Sequence, residues 1–164
     1  MNTPDFDSLS TEVGEFEQQL KELQKKYSAI ISEKLTEILK SYFDTDTECA
    51  KITWTQYTPF FNDGEECIFS VNEPNFFSIN FNEEEYNGYY EGDLYATNSY
   101  RDDRVYDYAI KTYRPATAME MQRGKLSKLL QSSGVQSVLK LTFGDHAKVT
   151  VTREGITSEE YDHD

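Results

Sequence analysis

The residues best suited to chemistry are a histidine and the carboxylate beside it. His146 directly follows Asp145, and an imidazole next to an aspartate can act as a general base. The same pair also suits a turn, in which the hydrogen bonds of the histidine are satisfied without catalysis. We favour the turn, and we keep as an alternative a small hydrolase or nucleotide-modifying enzyme that uses Asp145 and His146 with carboxylates of the 62–66 turn.

The sequence carries none of the spacings that usually mark a metal or nucleotide site. The candidate nitrogen and sulfur ligands are four residues outside any C-x-x-C or H-x-x-x-H motif: Cys49, Cys67, His146 and His163. Adjacent carboxylates are frequent, but thirty acidic residues produce such pairs by composition alone. The glycine-rich phosphate loops and the G-x-S-x-G motif do not occur in it. We therefore expect no metal, no cofactor and no catalytic residue, and we favour a protein that is not an enzyme.

Charge is a stronger signal. Thirty acidic and sixteen basic residues give a formal net charge of −14, and residues 62–107 hold twelve of the acids with two arginines. A surface this negative repels phosphate backbones and anionic membranes, which argues against direct binding of nucleic acid or of a membrane. The expected partner is a basic protein surface.

Tyrosines accompany these acids. Eight of the twelve tyrosines lie between Tyr86 and Tyr113, and tyrosine is enriched at protein interfaces. Carboxylates held on a folded scaffold can also imitate the phosphates of DNA and so occlude a nucleic-acid-binding enzyme. We therefore predict a partner-binding surface made of nine residues: Glu83, Glu84, Glu85, Tyr89, Tyr90, Glu91, Asp93, Asp102 and Asp103.

The clearest periodic pattern lies near the N-terminus. Apolar residues follow one another at alternating intervals of four and three, the a/d pattern of a coiled-coil helix: Leu9, Val13, Phe16, Leu20, Leu23, Tyr27 and Ile30. After Tyr27 the stripe steps sideways to Ile31 and Leu35, as a stutter would make it do. An unbroken helix from Ser8 to Phe43 would be about 54 Å long, whereas a globule of this chain length is about 30–40 Å across.

Three arrangements accommodate a helix of that length. It can project and pair with another chain, break near Ser28 and fold back, or lie across a sheet with its ends free. We favour packing on the chain's own sheet. Pairing of two copies is kept as an alternative, and it would make the protein a homodimer with a structural or assembly role.

The remaining sequence predicts an antiparallel sheet and further helix. Alternation with a period of two begins at Ala50 and predicts a strand that runs to Tyr57, and further strands are predicted at 67–71 and 76–81. Pro115 begins a helix, and residues 148–161 predict a terminal hairpin. We expect one α+β domain over 1–164: a long N-terminal helix (1–43) packed on an antiparallel sheet, strands and the acidic tyrosine-rich segment (50–113), and a C-terminal helix and β-hairpin (115–164).

Two stretches resemble segments of a known group of proteins. Residues 54–65 (WTQYTPFFNDGE) and 143–155 (FGDHAKVTVTREG) are similar to small uncharacterised accessory proteins of tailed bacteriophages. The resemblance implies a context rather than a reaction, because such proteins often inhibit or modify host factors, including restriction and CRISPR defence. It carries no functional residue over to this chain.

These observations together predict a non-enzymatic acidic interaction protein. The expectation is a phage-type inhibitor that binds a basic surface on a nucleic-acid-handling host or defence protein, with DNA mimicry as one mode. The sequence shows neither a basic and then apolar leader nor a run of about 20 apolar residues. We therefore expect the protein in the cytoplasm, which is the host cytoplasm if a phage encodes it.

Overall fold

The fold combines one very long helix with a small antiparallel sheet and two shorter helices. A computed structural model of the chain describes residues 5–61, 63–82, 92–98 and 100–162. Its elements, in chain order, are α1 (Phe6–Thr45), β1 (Cys49–Tyr57), β2 (Ser70–Val71), β3 (Asn75–Ser78), β4 (Arg104–Asp107), β5 (Thr112–Pro115), α2 (Ala118–Gln131), α3 (Ser133–Phe143), β6 (Ala147–Thr152) and β7 (Gly155–Glu160). The predicted α+β class is confirmed, and the segment after Pro115 holds two helices before its hairpin.

Strand β1 is the centre of the main sheet. It pairs antiparallel with β2 and β3 along one edge and with β6 along the other, and β6 pairs in turn with β7. The register sets Ile52 opposite Val151 and Trp54 opposite Val149. Because side chains alternate across a strand, these four residues share one face of the sheet, and all of them are buried.

The helices bury that face. Leu126 and Leu130 of α2 and Leu139 of α3 belong to the same apolar cluster as Trp54. The last turns of α1 join this cluster through Leu35, Leu39 and Phe43, the three buried residues of a 40-residue helix. The sheet, α2 and α3 therefore cover only the C-terminal end of α1. We call the part of the chain that follows residue 30 the head.

A buried ion pair fixes that end of the helix. Asp46, the residue that caps α1, is fully buried, and its carboxylate accepts hydrogen bonds from Arg123 Nε at 2.7 Å and Nη2 at 3.0 Å. The Tyr42 hydroxyl donates to the same carboxylate at 2.9 Å. Burial by itself would raise the pKa of Asp46, but the hydrogen bonds from Arg123 and Tyr42 outweigh it and hold the pKa below its ordinary value. The pair thus joins the end of α1 to the middle of α2.

We predict that Asp46→Asn lowers the free energy of unfolding by about 3 kcal/mol. The substitution leaves the Arg123 guanidinium buried without its main partner, which costs about 3–5 kcal/mol in other proteins. The lower value applies because Glu48, an exposed residue, stays 3.3 Å from Arg123. Urea denaturation at pH 7 measures the effect, with Asp44→Asn as the control.

The control removes an exposed ion pair, in which Asp44 lies 3.2 Å from Arg153, and we expect it to cost less than about 1 kcal/mol. Because the pKa of Asp46 is lower in the folded chain, its contribution is complete above about pH 4 and is lost as the pH falls through the folded value. The difference between wild type and Asp46→Asn should therefore narrow at pH 3. Equal losses in the two variants, or a difference independent of pH, would contradict the role of the pair.

Candidate functional site

The first half of α1 is exposed along its whole length. Asp5 caps it by accepting a hydrogen bond from the Ser8 backbone N–H at 2.9 Å, so the helix begins before the expected Ser8. Every residue from Asp5 to Tyr27 is exposed, and the helix continues without a break past Ser28 to Thr45. The helix therefore does not fold back near Ser28. Its last turns pack on the chain's own sheet, as expected, whereas its first half projects from the head. We call residues 6–30 the arm.

The arm carries a continuous apolar stripe on the outside of the molecule. Eight side chains form this stripe, which we call the seam, and each is between 44% and 73% exposed: Phe6, Leu9, Val13, Phe16, Leu20, Leu23, Tyr27 and Ile30. In heptad notation the first, third, fifth and seventh of these occupy a positions, and the others occupy d positions. After Ile30 the stripe turns toward the head, where Ile31 is half-buried and Leu35 is buried.

The predicted acidic surface is described only in part. Glu83, Glu84, Glu85, Tyr89, Tyr90 and Glu91 lie outside the described residues. Asp93 has a structural role, because its carboxylate accepts hydrogen bonds from the backbone N–H of Ser78 at 2.7 Å and from the Ser78 hydroxyl at 2.5 Å. Asp102 and Asp103 are exposed just before β4, close to the almost fully exposed Tyr100.

The tyrosine-rich hairpin β4–β5, residues 104–115, holds three bases and one acid. Tyr106 contacts Tyr113 edge to face at 5.3 Å between ring centroids, and the Arg101 guanidinium lies 4.4 Å from the Tyr113 ring centre. Arg114 bridges Asp107 at 2.9 Å and the buried Glu120 at 2.7 Å. The contact of Arg114 with Glu120 binds the hairpin to α2.

Asp145 and His146 form a turn that joins helix α3 to strand β6. The Asp145 carboxylate accepts hydrogen bonds from the Thr58 backbone N–H at 2.7 Å and the Thr58 hydroxyl at 2.6 Å. Burial would raise the pKa of Asp145, and these two hydrogen bonds instead lower it. The His146 ring stacks on Phe60 at 4.8 Å between centroids. The two residues thus form the turn that precedes β6.

A cavity of about 440 Å³ adjoins this turn, and it bears on the enzymatic alternative. Its carboxylates come from Glu159, Glu160 and Asp162 at the end of β7 as well as from Asp145, and not from the 62–66 turn.

Cys49 is buried, which raises the pKa of its thiol to about 11. Among the described residues, no three His, Cys, Asp or Glu side chains lie close enough together to hold a metal ion. His163 lies outside the described residues.

Within residues 5–61, 63–82, 92–98 and 100–162, no helix combines the length and the apolar character needed to cross a membrane.

Comparisons with protein-family models, with curated proteins and with solved structures found no match for this chain.

Proposed function

We propose that this chain is a non-enzymatic assembly protein, in which the arm pairs with the arm of another copy as a coiled coil and the head is carried at its end. The proposal rests on one observation: the seam lies in a strict a/d pattern and remains exposed in the single chain. Helices supercoil around each other when apolar residues repeat in this way, because each a or d side chain fills a hole in the facing helix.

The exposed area of the seam matches that of a stable interface. Eight side chains that each expose about 100 Å² offer about 800 Å² per helix, the area that each partner contributes to a standard protein interface. Monomeric proteins seldom leave an apolar patch of that size in water. A helix without tertiary contacts is also marginal in water even at favourable length. Pairing of arms answers both problems, because it buries the seam and supports the helix.

A lipid surface fits the arm less well than another helix does. Helices that lie on membranes carry lysine and arginine on the polar face, whereas residues 5–20 contain five acids and no base. The seam is also narrow, with two apolar positions in every seven, which is the width of a coiled-coil contact.

We predict that Leu20→Gln with Leu23→Gln weakens self-association of the full chain by about ten-thousandfold. A dimer would lose four buried leucines, each worth about 1.5 kcal/mol or more, while glutamine keeps nearly the helix propensity of leucine. Sedimentation equilibrium of the wild type and the variant measures the change.

The matched control is Glu22→Gln with Lys25→Gln, which alters two exposed residues of the same turns at c and f positions and leaves the net charge unchanged. We expect the control to associate like the wild type. A wild type that remains monomeric at every concentration, or two variants that behave alike, would contradict the assembly role.

The acidic head supports a second proposal, namely that it binds a basic surface on a nucleic-acid-handling protein, as an inhibitor of phage type would. The observation in its favour is charge: the head, residues 31–164, holds 24 acids and 13 bases, and Asp102 and Asp103 are exposed beside Tyr100. The two proposals are compatible, because a dimer would present two heads.

We predict that Asp102→Lys with Asp103→Lys abolishes capture of a basic bacterial protein by the immobilised chain at low salt. High salt should have the same effect on the wild type, because exposed charges are screened. Glu65→Lys with Glu66→Lys makes the same change of charge at another exposed pair and should leave capture intact. Capture of the same proteins by all three chains would contradict this proposal.

A further inference from the structure

The arm is asymmetric in charge along its length. Its first part, residues 5–20, carries five acids and no base, whereas residues 21–34 carry four lysines and two glutamates. All of these residues belong to one unbroken helix or to its N-terminal cap. Two such arms attract each other most when the acidic part of one lies along the basic part of the other, which requires opposite directions.

A parallel pairing would bring like charges together beside the seam. In parallel coiled coils a g residue faces the e residue of the next heptad in the partner. Glu12 occupies a g position and Glu17 the following e position, so a parallel dimer would contain this repulsive contact twice. The next g residues, Gln19 and Lys26, would face Gln24 and the half-buried Ile31, and neither pairing is between opposite charges.

An antiparallel pairing uses the whole seam and places opposite charges at its edges. When the two helices cross between Phe16 and Leu20, every a residue meets a d residue of the other copy in eight layers: Phe6 with Ile30, Leu9 with Tyr27, Val13 with Leu23 and Phe16 with Leu20, each twice. Shifting the pairing by one heptad leaves seam residues without a partner. In the full register, Glu12 faces Lys26 of the other copy at both ends.

Like-charged contacts remain at the two ends and at the centre of this arrangement. At each end Asp5 would face Glu33 of the other copy, but the Asp5 carboxylate is already engaged by the Ser8 backbone N–H at the helix cap. Glu17 would face its own counterpart across the twofold axis, and Lys21 lies one turn further along the same helix face. Residues four apart on a helix are neighbours, and a glutamate preceding a lysine in this order is a favourable pair. Each Glu17 is therefore compensated within its own arm.

The position of the head favours the same direction. Ile31 is half-buried and Ser32 lies 3.3 Å from Thr142 of α3, so the head begins directly beyond the last seam residue. Parallel arms would bring two heads against each other at this point. Antiparallel arms set the N-terminal end of one helix, rather than a second head, beside each head.

We propose that two copies of the chain pair through their arms in antiparallel orientation, with Val13 packed against Leu23 of the other copy and with the heads at opposite ends. The inference rests on the assembly role proposed above and adds its direction. At 1.5 Å per residue, the points at which the arms enter the two heads lie about 40 Å apart. The dimer would carry one head at each end, with identical surfaces facing outward. It could therefore bridge two partner molecules, or bind with avidity to a partner that carries repeated sites.

Cross-linking of single cysteines tests the direction. Val13→Cys and Leu23→Cys are made separately in chains that also carry Cys67→Ser, while Cys49 stays because it is buried. In an antiparallel dimer residue 13 of one copy lies about 15 Å along the helix from residue 13 of the other, too far for a disulfide. Oxidation of either protein alone should therefore give little covalent dimer, and oxidation of the mixture should give about tenfold more.

Sedimentation of the same reduced proteins separates the two proposals. Covalent dimers from each protein alone, with no gain on mixing, would show a parallel pair; this would overturn the direction and leave the assembly role standing. Reduced proteins that sediment as dimers but cross-link in no combination would also overturn the proposed register. Reduced proteins that sediment as monomers, together with a monomeric wild type, would overturn the assembly role itself.

Discussion

The structure depends on a mismatch between the length of α1 and the size of the head. A helix of 40 residues is about 60 Å long, and the head buries only Leu35, Leu39 and Phe43 on it. The eight seam residues remain in water although their spacing is that of a buried contact. A second helix that covers the seam removes this conflict, and the charges along the arm favour the antiparallel way of placing it.

The buried pair of Asp46 and Arg123 fixes the direction in which the arm leaves the head. It holds the last turn of α1 to the middle of α2 with two hydrogen bonds, and α2 and α3 in turn pack on the sheet around Trp54. An arm joined to its head by a loose connection would let the heads take any orientation. Because α1 is unbroken and its end is held to α2, pairing of the arms would also set where the heads point.

The helices and strands whose apolar side chains recur at a regular spacing could be predicted from sequence. The a/d spacing predicted α1, the alternation from Ala50 predicted β1, and the terminal hairpin was expected at the residues that form β6 and β7. The strands predicted at 67–71 and 76–81 are shorter in the structure, because each pairs with β1 over only part of its length. The ion pair was missed because its partners are 77 residues apart and Arg123 looks like an ordinary surface residue of a helix. The hydrogen bond between Asp93 and Ser78 could not be predicted from sequence, because it depends on where β3 lies. Asp93 was therefore assigned to the acidic surface.

The most direct test of the account is hydrogen–deuterium exchange of the backbone amides of residues 10–27 in the wild-type chain over a range of protein concentrations. These residues have no buried side chain in the single chain, so protection of their amides has to come from pairing of the arms. We predict slow exchange that becomes slower as the concentration rises, while the amides of β1 and β6 stay equally protected throughout. Rapid exchange of residues 10–27 at every concentration would show that the arm does not pair with the arm of another copy, and it would contradict the proposed assembly role.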